Sequence, residues 1–216
     1  MQTADVREQM VEQQVRAWDV LDERVLDVMR QVPRELFVPA AERFRAYADA
    51  EVPLSQGQHM LRPSVVGRLL QALLPKAHEQ VLQVGAGTGF ITACLRGIAG
   101  RVRAPEVFPQ LAESARANLA DLGVRGAEVI DADGLRFESP TRFDIIAVTA
   151  SLPIYEARFE RMLNVGGRLF IVVGEAPVME ARLVERTSES TWSTQGVFET
   201  VIDPMVNAVR PAEFTF

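Results

Sequence analysis

The stretch Val81-Leu-Gln-Val-Gly85-Ala-Gly87-Thr-Gly89-Phe90 decides the fold of this chain. It opens with a short, mostly apolar run that is typical of a buried strand, and a helix is predicted over residues 90–98. A glycine turn between a strand and a helix lets the backbone approach a ligand closely, with the N–H groups of the helix directed at it. The stretch therefore predicts a ligand-binding strand–turn–helix unit, with a turn that needs glycine for packing alone as the alternative.

Two acidic positions beyond this turn indicate a nucleoside cofactor. Glu106 follows the second predicted strand, where its carboxylate can accept hydrogen bonds from both hydroxyls of a ribose. Asp133 follows the third strand, with Gly134 permitting a turn, and can accept a hydrogen bond from an adenine amino group. The dinucleotide fingerprint spaces its glycines G-x-G-x-x-G, whereas this turn reads G-x-G-x-G. The spacing favours S-adenosyl-L-methionine over a dinucleotide.

From residue 76 onward, predicted strands alternate with predicted helices. The strands fall at residues 81–84, 101–104, 127–130, 143–148, 168–173, near 183 and 198–202, and the helices at 90–98, 110–122 and 155–163. This order predicts an α/β fold: a Rossmann-like, doubly wound, mostly parallel seven-stranded sheet whose last two strands form an antiparallel edge hairpin. Residues 1–75 are predicted as a helical extension with a substrate loop, which caps the strand ends where such sheets bind ligands. Residues 76–216 are predicted as the cofactor-binding core.

Composition narrows the classes of partner. The 216 residues carry a formal net charge of −6, which gives no electrostatic reason to expect nucleic acid. A single cysteine, Cys94, fits a reducing cytoplasm, and no apolar run approaches the length of a membrane span. The two histidines and the cysteine are not at metal-ligand spacing. We therefore expect a cytoplasmic monomer or homodimer that binds neither a metal, a membrane nor nucleic acid.

Taken in order, these motifs resemble the protein-L-isoaspartate O-methyltransferase family of class I methyltransferases. The resemblance covers nearly the whole chain and rests on the following pieces: Val32-Pro-Arg-Glu-Leu-Phe-Val-Pro39, Ala46-Tyr-Ala-Asp49, Gly57-Gln58 with Pro63, Val81 to Gly89, Glu106, Asp133-Gly134, Phe143-Asp144, Val148-Thr-Ala150, Gly166-Gly-Arg-Leu169 and Gly174.

The resemblance implies an activity, a cofactor and a set of site residues. Members of this family methylate the carboxylate of isoaspartyl residues in damaged proteins, with S-adenosyl-L-methionine as donor and S-adenosyl-L-homocysteine as product. The acceptor would then be a protein or peptide. The residues assigned to the cofactor are Gln58, Gly85, Ala86, Gly87, Thr88, Gly89, Glu106, Val107, Asp133 and Gly134. The residues assigned to the acceptor side are His59, Leu61, Arg62 and Thr149.

The substrate loop departs from the family pattern at one position that matters for chemistry. The family loop reads G-Q-T-I-S-Q-P, whereas this chain has Gly57-Gln-His-Met-Leu-Arg-Pro63. Leu61 thus replaces a serine and cannot donate a hydrogen bond, while Arg62 is able to pair with a carboxylate. The loss of one such donor costs about 10²–10³ in rate when the donor stabilises the reaction.

Several functions remain open at this point. They are weak isoaspartyl methylation, methylation of another acceptor, cofactor binding without catalysis, and, more remotely, a nicotinamide oxidoreductase. A carboxylate acceptor is already ionised near pH 7 and needs no general base, so the lack of an obvious His–Asp pair does not count against it. A hydroxyl acceptor would need a base, and His59 is the histidine placed to serve.

Overall fold

The computed structural model describes residues 3–210. The first part of the chain consists of short helical segments and one small hairpin. In order these are α1 (Thr3–Met10), a π-helical turn (Val11–Val15), a 3₁₀ turn (Arg16–Trp18), α2 (Glu23–Gln31), α3 (Arg34–Phe37), a 3₁₀ turn (Ala40–Arg45), β1 (Val52–Pro53), a 3₁₀ turn (Ser55–Gly57), β2 (His59–Met60) and α4 (Pro63–Leu73).

Local sequence signals explain where these helices begin and end. Asp22 caps α2 because its side chain accepts hydrogen bonds from the backbone N–H groups of Arg24 and Val25. Pro63 opens α4, where its missing N–H is not needed, and Leu74 ends it in the left-handed conformation with φ +40°. The helix predicted to start at Pro63 is confirmed.

The hairpin of β1 and β2 is the feature that the helical interpretation of residues 1–75 missed. Val52 pairs with Met60 and Pro53 with His59 in antiparallel register. Two-residue strands leave too little alternation to read from sequence. The hairpin matters because it holds the loop that was predicted to contact the substrate.

The second part of the chain forms the sheet. Its strands are β3 (Gln80–Val84), β4 (Arg101–Glu106), β5 (Ala127–Asp131), β6 (Phe143–Leu152), β7 (Leu163–Glu175), β8 (Val178–Arg186) and β9 (Trp192–Glu199). Its helices are α5 (Phe90–Ile98), α6 (Pro109–Asp121) and α7 (Ala157–Arg161).

Within residues 3–210 these seven strands form one sheet in the order β5-β4-β3-β6-β7-β8-β9. The pairs from β5 to β7 are parallel, and β7, β8 and β9 pair antiparallel. The predicted α/β fold class, with its mostly parallel sheet and antiparallel edge hairpin, is confirmed. The order makes β3 and β6 neighbours near the centre of the sheet. They flank the point where the order of successive strands reverses, which is where such folds bind ligands.

Element boundaries were predicted less well than element types. The strand predicted over residues 168–173 is β7, which begins earlier, at Leu163, and passes through Gly166 and Gly167. The helix predicted over 155–163 is shorter at both ends, since α7 spans Ala157–Arg161 and Leu163 already belongs to that strand. β7 accommodates the two glycines with a shift of its register against β6.

The helical extension packs on the sheet instead of only capping its edge. Helix α4 contacts β6 and β7, α2 contacts α5, and their apolar side chains belong to one continuous core cluster with those of the sheet. The residues of the extension that line the cavities at the carboxyl ends of the strands are Arg34, Leu54, the segment 58–61 and Val66. The division at residues 75 and 76 stays a prediction.

Candidate active site

The glycine turn between β3 and α5 uses its three glycines for different purposes. All three have positive φ, +93° at Gly85, +57° at Gly87 and +90° at Gly89. A Cβ at Gly85 would lie 2.8 Å from Oγ1 of Thr149, and one at Gly89 would lie 3.3 Å from the backbone of Ala115. A Cβ at Gly87 would meet nothing within 4 Å. A side chain at Gly85 would therefore clash and one at Gly89 would be crowded by backbone, whereas Gly87 keeps the space beside the turn open.

Glu106 holds this turn from the end of β4. Its Oε2 accepts a hydrogen bond from the N–H of Gly87 at 2.9 Å, and its Oε1 accepts one from the N–H of Phe108 at 3.1 Å. The carboxylate is 5% exposed. Each carboxylate oxygen can accept a second hydrogen bond, so Glu106 can fix the turn and still receive ribose hydroxyls.

Asp133 and Gly134 form the next wall of the site, after β5. Oδ1 of Asp133 accepts from the N–H of Leu135 at 2.9 Å, and Oδ2 accepts from Nδ2 of Asn207 at 3.0 Å. A Cβ at Gly134 would lie 2.3 Å from Cγ1 of Val84, so no other residue fits there without a shift. The bond to Asn207 shows that a segment near the end of the described chain returns to this edge.

Two adjoining cavities lie above the turn. The inner cavity, which includes Arg34, Leu61 and Phe90 among its walls, has a volume of about 360 Å³, part of it open to solvent. The outer cavity, which includes Glu106 and Asp133, has a volume of about 600 Å³ and is also open to solvent. The residues that line both are Leu54, His59, Gly85, Gly87 and Thr149.

The structure brings most of the predicted site residues together around these cavities. Those that line one or both are Gln58, His59, Leu61, Gly85, Ala86, Gly87, Thr88, Glu106, Val107, Asp133, Gly134 and Thr149. Gly89 is not among the lining residues, because it packs α5 against Ala115.

Arg62 is separated from the other predicted site residues. Its guanidinium carbon lies 5.3 Å from the centre of the Trp18 ring, and its Nη2 lies 3.5 Å from Oγ1 of Thr200. It lines a different surface hollow, together with Glu51 and Glu199. The predicted pairing of Arg62 with a carboxylate at the cavities is not supported by this placement.

His59 has an acidic partner that the sequence did not reveal. Its Nδ1 lies 3.0 Å from Oδ2 and 3.2 Å from Oδ1 of Asp203, and both side chains are partly exposed. The sequence shows no obvious His–Asp pair, and the structure brings one together. The two residues are 144 positions apart, and nothing in the local sequence of Asp203 marks it as a partner.

Thr149 and Leu61 take up positions that limit their chemistry. The hydroxyl of Thr149 donates to the backbone carbonyl oxygens of Val84 and Gly85, at 2.9 and 2.8 Å. The hydroxyl oxygen can therefore still accept a hydrogen bond from a ligand, but its proton is already donated. Leu61 is 6% exposed and gives an apolar wall to the inner cavity.

Sequence reasoning missed further residues of the site. Arg34 was quoted only as part of a family motif, and Met205 and Val206 of the outer cavity carry no motif at all. Among residues 3–210, no three His, Cys, Asp or Glu side chains group in a way that could hold a metal ion.

The sheet order, the glycine turn and the acids after β4 and β5 define the class of protein as a Rossmann-like, class I methyltransferase. The family model described as protein-L-isoaspartate(D-aspartate) O-methyltransferase (PCMT) matches residues 5–209. The chain therefore belongs to this family, as the sequence motifs predicted.

Two relatives agree with this assignment, and a solved structure shares the fold. The chain is 40% identical over 191 residues to protein-L-isoaspartate O-methyltransferase 2 of Marinobacter nauticus, covering 88% of this chain and 87% of the relative. It is 40% identical over 182 residues to the protein-L-isoaspartate O-methyltransferase of Methanoculleus marisnigri, covering 83% of each. A PCMT crystal structure from Plasmodium falciparum, in complex with S-adenosyl-L-homocysteine, shares the fold with a TM-score of 0.79 at 18% identity. That match covers 92% of this chain and 97% of the other.

Proposed function

We propose that this protein transfers a methyl group from S-adenosyl-L-methionine to the carboxylate of isoaspartyl residues in proteins or peptides. The observation that carries this proposal is the pair of cavities between the glycine turn and the loop at residues 58–61, in a chain of the isoaspartate methyltransferase family. None of the helices among residues 3–210 is long and apolar enough to cross a membrane. A cytoplasmic location and a monomeric or homodimeric state stay predictions.

The residues around the cavities fit the cofactor. The backbone at Gly87 borders open space, and the buried carboxylate of Glu106 keeps acceptor capacity for ribose hydroxyls. Asp133 and Gly134 form the outer cavity wall, where an adenine amino group would meet a carboxylate. When bound, S-adenosyl-L-methionine supplies a methyl group activated on a sulfonium sulfur, and S-adenosyl-L-homocysteine is left after transfer.

The protein's own task in this reaction is positioning. A carboxyl group with an ordinary pKa near 4 is ionised at pH 7, so no side chain has to remove a proton from it. Alignment of two reactants and exclusion of water supply the acceleration instead. Leu54, Met60 and Leu61 provide apolar walls at the inner cavity that would keep water from the acceptor.

The loop over the cavities sets the acceptor side. Gln58 borders the outer cavity and His59 borders both, so these side chains are placed to contact the acceptor and the donor. We propose that Leu61 sets the shape of the inner cavity, since it cannot donate a hydrogen bond to the acceptor. Arg62 faces a different hollow and takes no part in this proposal.

A methyl-transfer assay tests the proposal. The protein is incubated with methyl-labelled S-adenosyl-L-methionine and a short isoaspartyl peptide, with the aspartyl peptide of the same sequence as control. We expect base-labile label in the isoaspartyl peptide alone, since methyl esters hydrolyse readily in base. Absence of label, in protein shown by calorimetry to bind S-adenosyl-L-homocysteine, would contradict the proposed acceptor and favour another one or a binding role.

A further inference from the structure

Arg34 is a cation buried completely at the edge of the inner cavity. It opens α3, and its side chain has 0% exposure. Its Nε donates to the carbonyl oxygen of Ala46 at 3.0 Å, and its Nη2 donates to that of Leu61 at 2.9 Å. Burial lowers the pKa of the guanidinium to about 10, so it remains charged at neutral pH. A buried charge is costly unless it is paired, so its partners need to be identified.

The charge of Arg34 has no acidic partner in the part of the chain that the structure describes. Its Nη1 is buried and has no acceptor within hydrogen-bond distance among residues 3–210. Cys94 and Asp49 are the acidic groups that interact with it electrostatically. Burial raises the pKa of the Cys94 thiol to about 12, so the thiol is uncharged at neutral pH. Asp49 is already engaged, since its two oxygens accept from the N–H and the hydroxyl of Ser64. The two bonds that Arg34 does make are to neutral carbonyl groups.

Arg186, the other arginine that is almost fully buried, shows that such isolation is not general in this fold. Arg186 is 3% exposed, and its Nε, Nη1 and Nη2 all find oxygen acceptors, including the carboxylate of Glu189. Nη1 of Arg34 has no such acceptor, and Arg34 is the arginine among the residues that line the inner cavity.

The surroundings of Arg34 hold its guanidinium in place. Its central carbon lies 4.9 Å from the centre of the Phe90 ring, and Phe90 is the first residue of α5, directly after the glycine turn. Arg34, Phe90 and the segment from Gly85 to Thr88 line the same inner cavity. A planar guanidinium held on an aromatic ring is prepared to bind a planar anion without reorganisation.

We propose that Nη1 of Arg34 binds a carboxylate in the inner cavity. This inference rests on the proposed function, which brings two carboxylates to the site: that of the donor's amino-acid end and that of the acceptor. The place of Arg34 beside the glycine turn favours the donor's carboxylate, since the same cavity wall includes Gly85, Ala86 and Thr88.

The experiment compares two ligands that differ in the carboxylate. S-adenosyl-L-homocysteine carries the amino-acid end, whereas 5′-methylthioadenosine is the corresponding thioether without it. Affinities for both are measured by calorimetry in the wild-type protein and in Arg34→Gln, and KM is measured for the isoaspartyl peptide. Arg186→Gln is the matched control, because it also removes a buried arginine bonded to backbone carbonyl groups.

If the donor's carboxylate is bound, Arg34→Gln weakens S-adenosyl-L-homocysteine binding by about 10- to 100-fold, because a hydrogen bond to a charged group is lost. Binding of 5′-methylthioadenosine then changes less than about twofold, and Arg186→Gln leaves the ratio of the two affinities unchanged. If Arg34 instead binds the acceptor's carboxylate, the affinities for the two nucleosides stay unchanged in Arg34→Gln. KM for the isoaspartyl peptide then rises by about 10- to 100-fold.

Two results would overturn the inference. Equal loss of both ligands in Arg34→Gln would show a structural role alone, and no change in either affinity or in KM would show no role. If Arg34→Gln does not fold, the same affinities are measured in Arg34→Lys, which keeps the charge but loses the planar guanidinium. A wild-type protein that binds neither nucleoside would instead overturn the proposed function, and this inference with it.

Discussion

Nδ1 of His59 lies 3.0 Å from Oδ2 of Asp203, and this contact joins β2 of the substrate loop to the segment that follows β9. That segment continues to Met205 and Val206, which line the outer cavity, and to Asn207, which donates to Asp133. The loop on one side of the cavities is therefore tied to the chain that closes the other side.

We expect Asp203→Asn to loosen this closure with little loss of stability. The pair is partly exposed, with side-chain exposures of 35% for His59 and 26% for Asp203. Such pairs contribute about 0–1 kcal/mol, so affinity for S-adenosyl-L-homocysteine should fall less than about fivefold.

The matched control for Asp203→Asn is Glu180→Gln. Glu180 lies 2.6 Å from Nε of Arg182 in another partly exposed pair, and it lines neither cavity. The Glu180→Gln variant should bind S-adenosyl-L-homocysteine with wild-type affinity, as measured by calorimetry. Wild-type affinity in Asp203→Asn, or an equal loss in both variants, would contradict the closing role of the His59–Asp203 pair.

Gly87 and Gly123 offer a test of the open space beside the glycine turn. Their φ values are +57° and +65°, and a Cβ at either would meet nothing within 4 Å. Alanine at each position should therefore cost similar stability, about 1–2 kcal/mol, from left-handed backbone strain. Only Gly87→Ala should weaken binding of S-adenosyl-L-homocysteine, by about tenfold or more, because its methyl group enters the cofactor space. Equal affinities in the two variants would place the cofactor elsewhere.

Glu106→Gln separates the charge of this side chain from its shape. The amide keeps one acceptor oxygen but turns an N–H₂ group toward the N–H of Gly87 or of Phe108, both of which now donate to the carboxylate. We expect S-adenosyl-L-homocysteine affinity to fall about 10- to 100-fold. Glu128→Gln is the control, since Glu128 lies on the neighbouring strand and pairs at the surface with Arg103. An unchanged affinity in Glu106→Gln would contradict the assigned role.

The residues of this site that were predicted from sequence all lie in local motifs. Gly87 and Glu106 stand at the ends of adjacent parallel strands, and parallel strands bring their carboxyl ends to one edge of the sheet. Their proximity therefore follows from the order of elements alone. The same reasoning led to Asp133 after the next strand.

The residues that sequence reasoning missed depend on contacts between distant segments. Asp203 meets His59 across 144 positions, and Arg34 reaches the cavity only because α3 packs beside the hairpin of β1 and β2. Such contacts depend on the packing of a short hairpin and a terminal segment without regular pattern, and no periodicity encodes them. The placement of Arg62 away from the cavities has the same cause, since the turn before α4 directs it toward Trp18 and Thr200.

Leu61 can be tested by comparing two smaller residues at the same position. Leu61→Ser and Leu61→Ala each remove a buried side chain and should cost similar stability, about 2–5 kcal/mol. The serine alone returns a hydroxyl donor to the inner cavity. We expect its kcat on an isoaspartyl peptide to exceed that of Leu61→Ala by about tenfold or more, since a donor at a reaction centre is worth about 10²–10³. Equal kcat values would show that no donor is needed there.

Glu51 should make stability depend on pH in a direction opposite to that of most carboxylates. Burial raises the pKa of its carboxyl above its ordinary value of 4.5, and the negative charge of Asp203 adds to this, while His59 and Arg62 oppose it. The folded protein thus holds the proton more tightly than the unfolded chain does. This contribution is fully present below pH 4.5 and is lost as the pH rises through the folded pKa.

Glu51→Gln removes this titration while it keeps the size of the side chain. The variant should match the wild type in unfolding free energy below pH 4, where Glu51 is protonated in both states, and should become the more stable of the two by pH 7. Denaturant unfolding at both pH values measures the difference. Because Asp203 raises the pKa of Glu51, the gain should be smaller when Glu51→Gln is made in the Asp203→Asn background. A variant less stable than the wild type at pH 7 would contradict the raised pKa and would mean that ionised Glu51 is stabilised by His59 and Arg62.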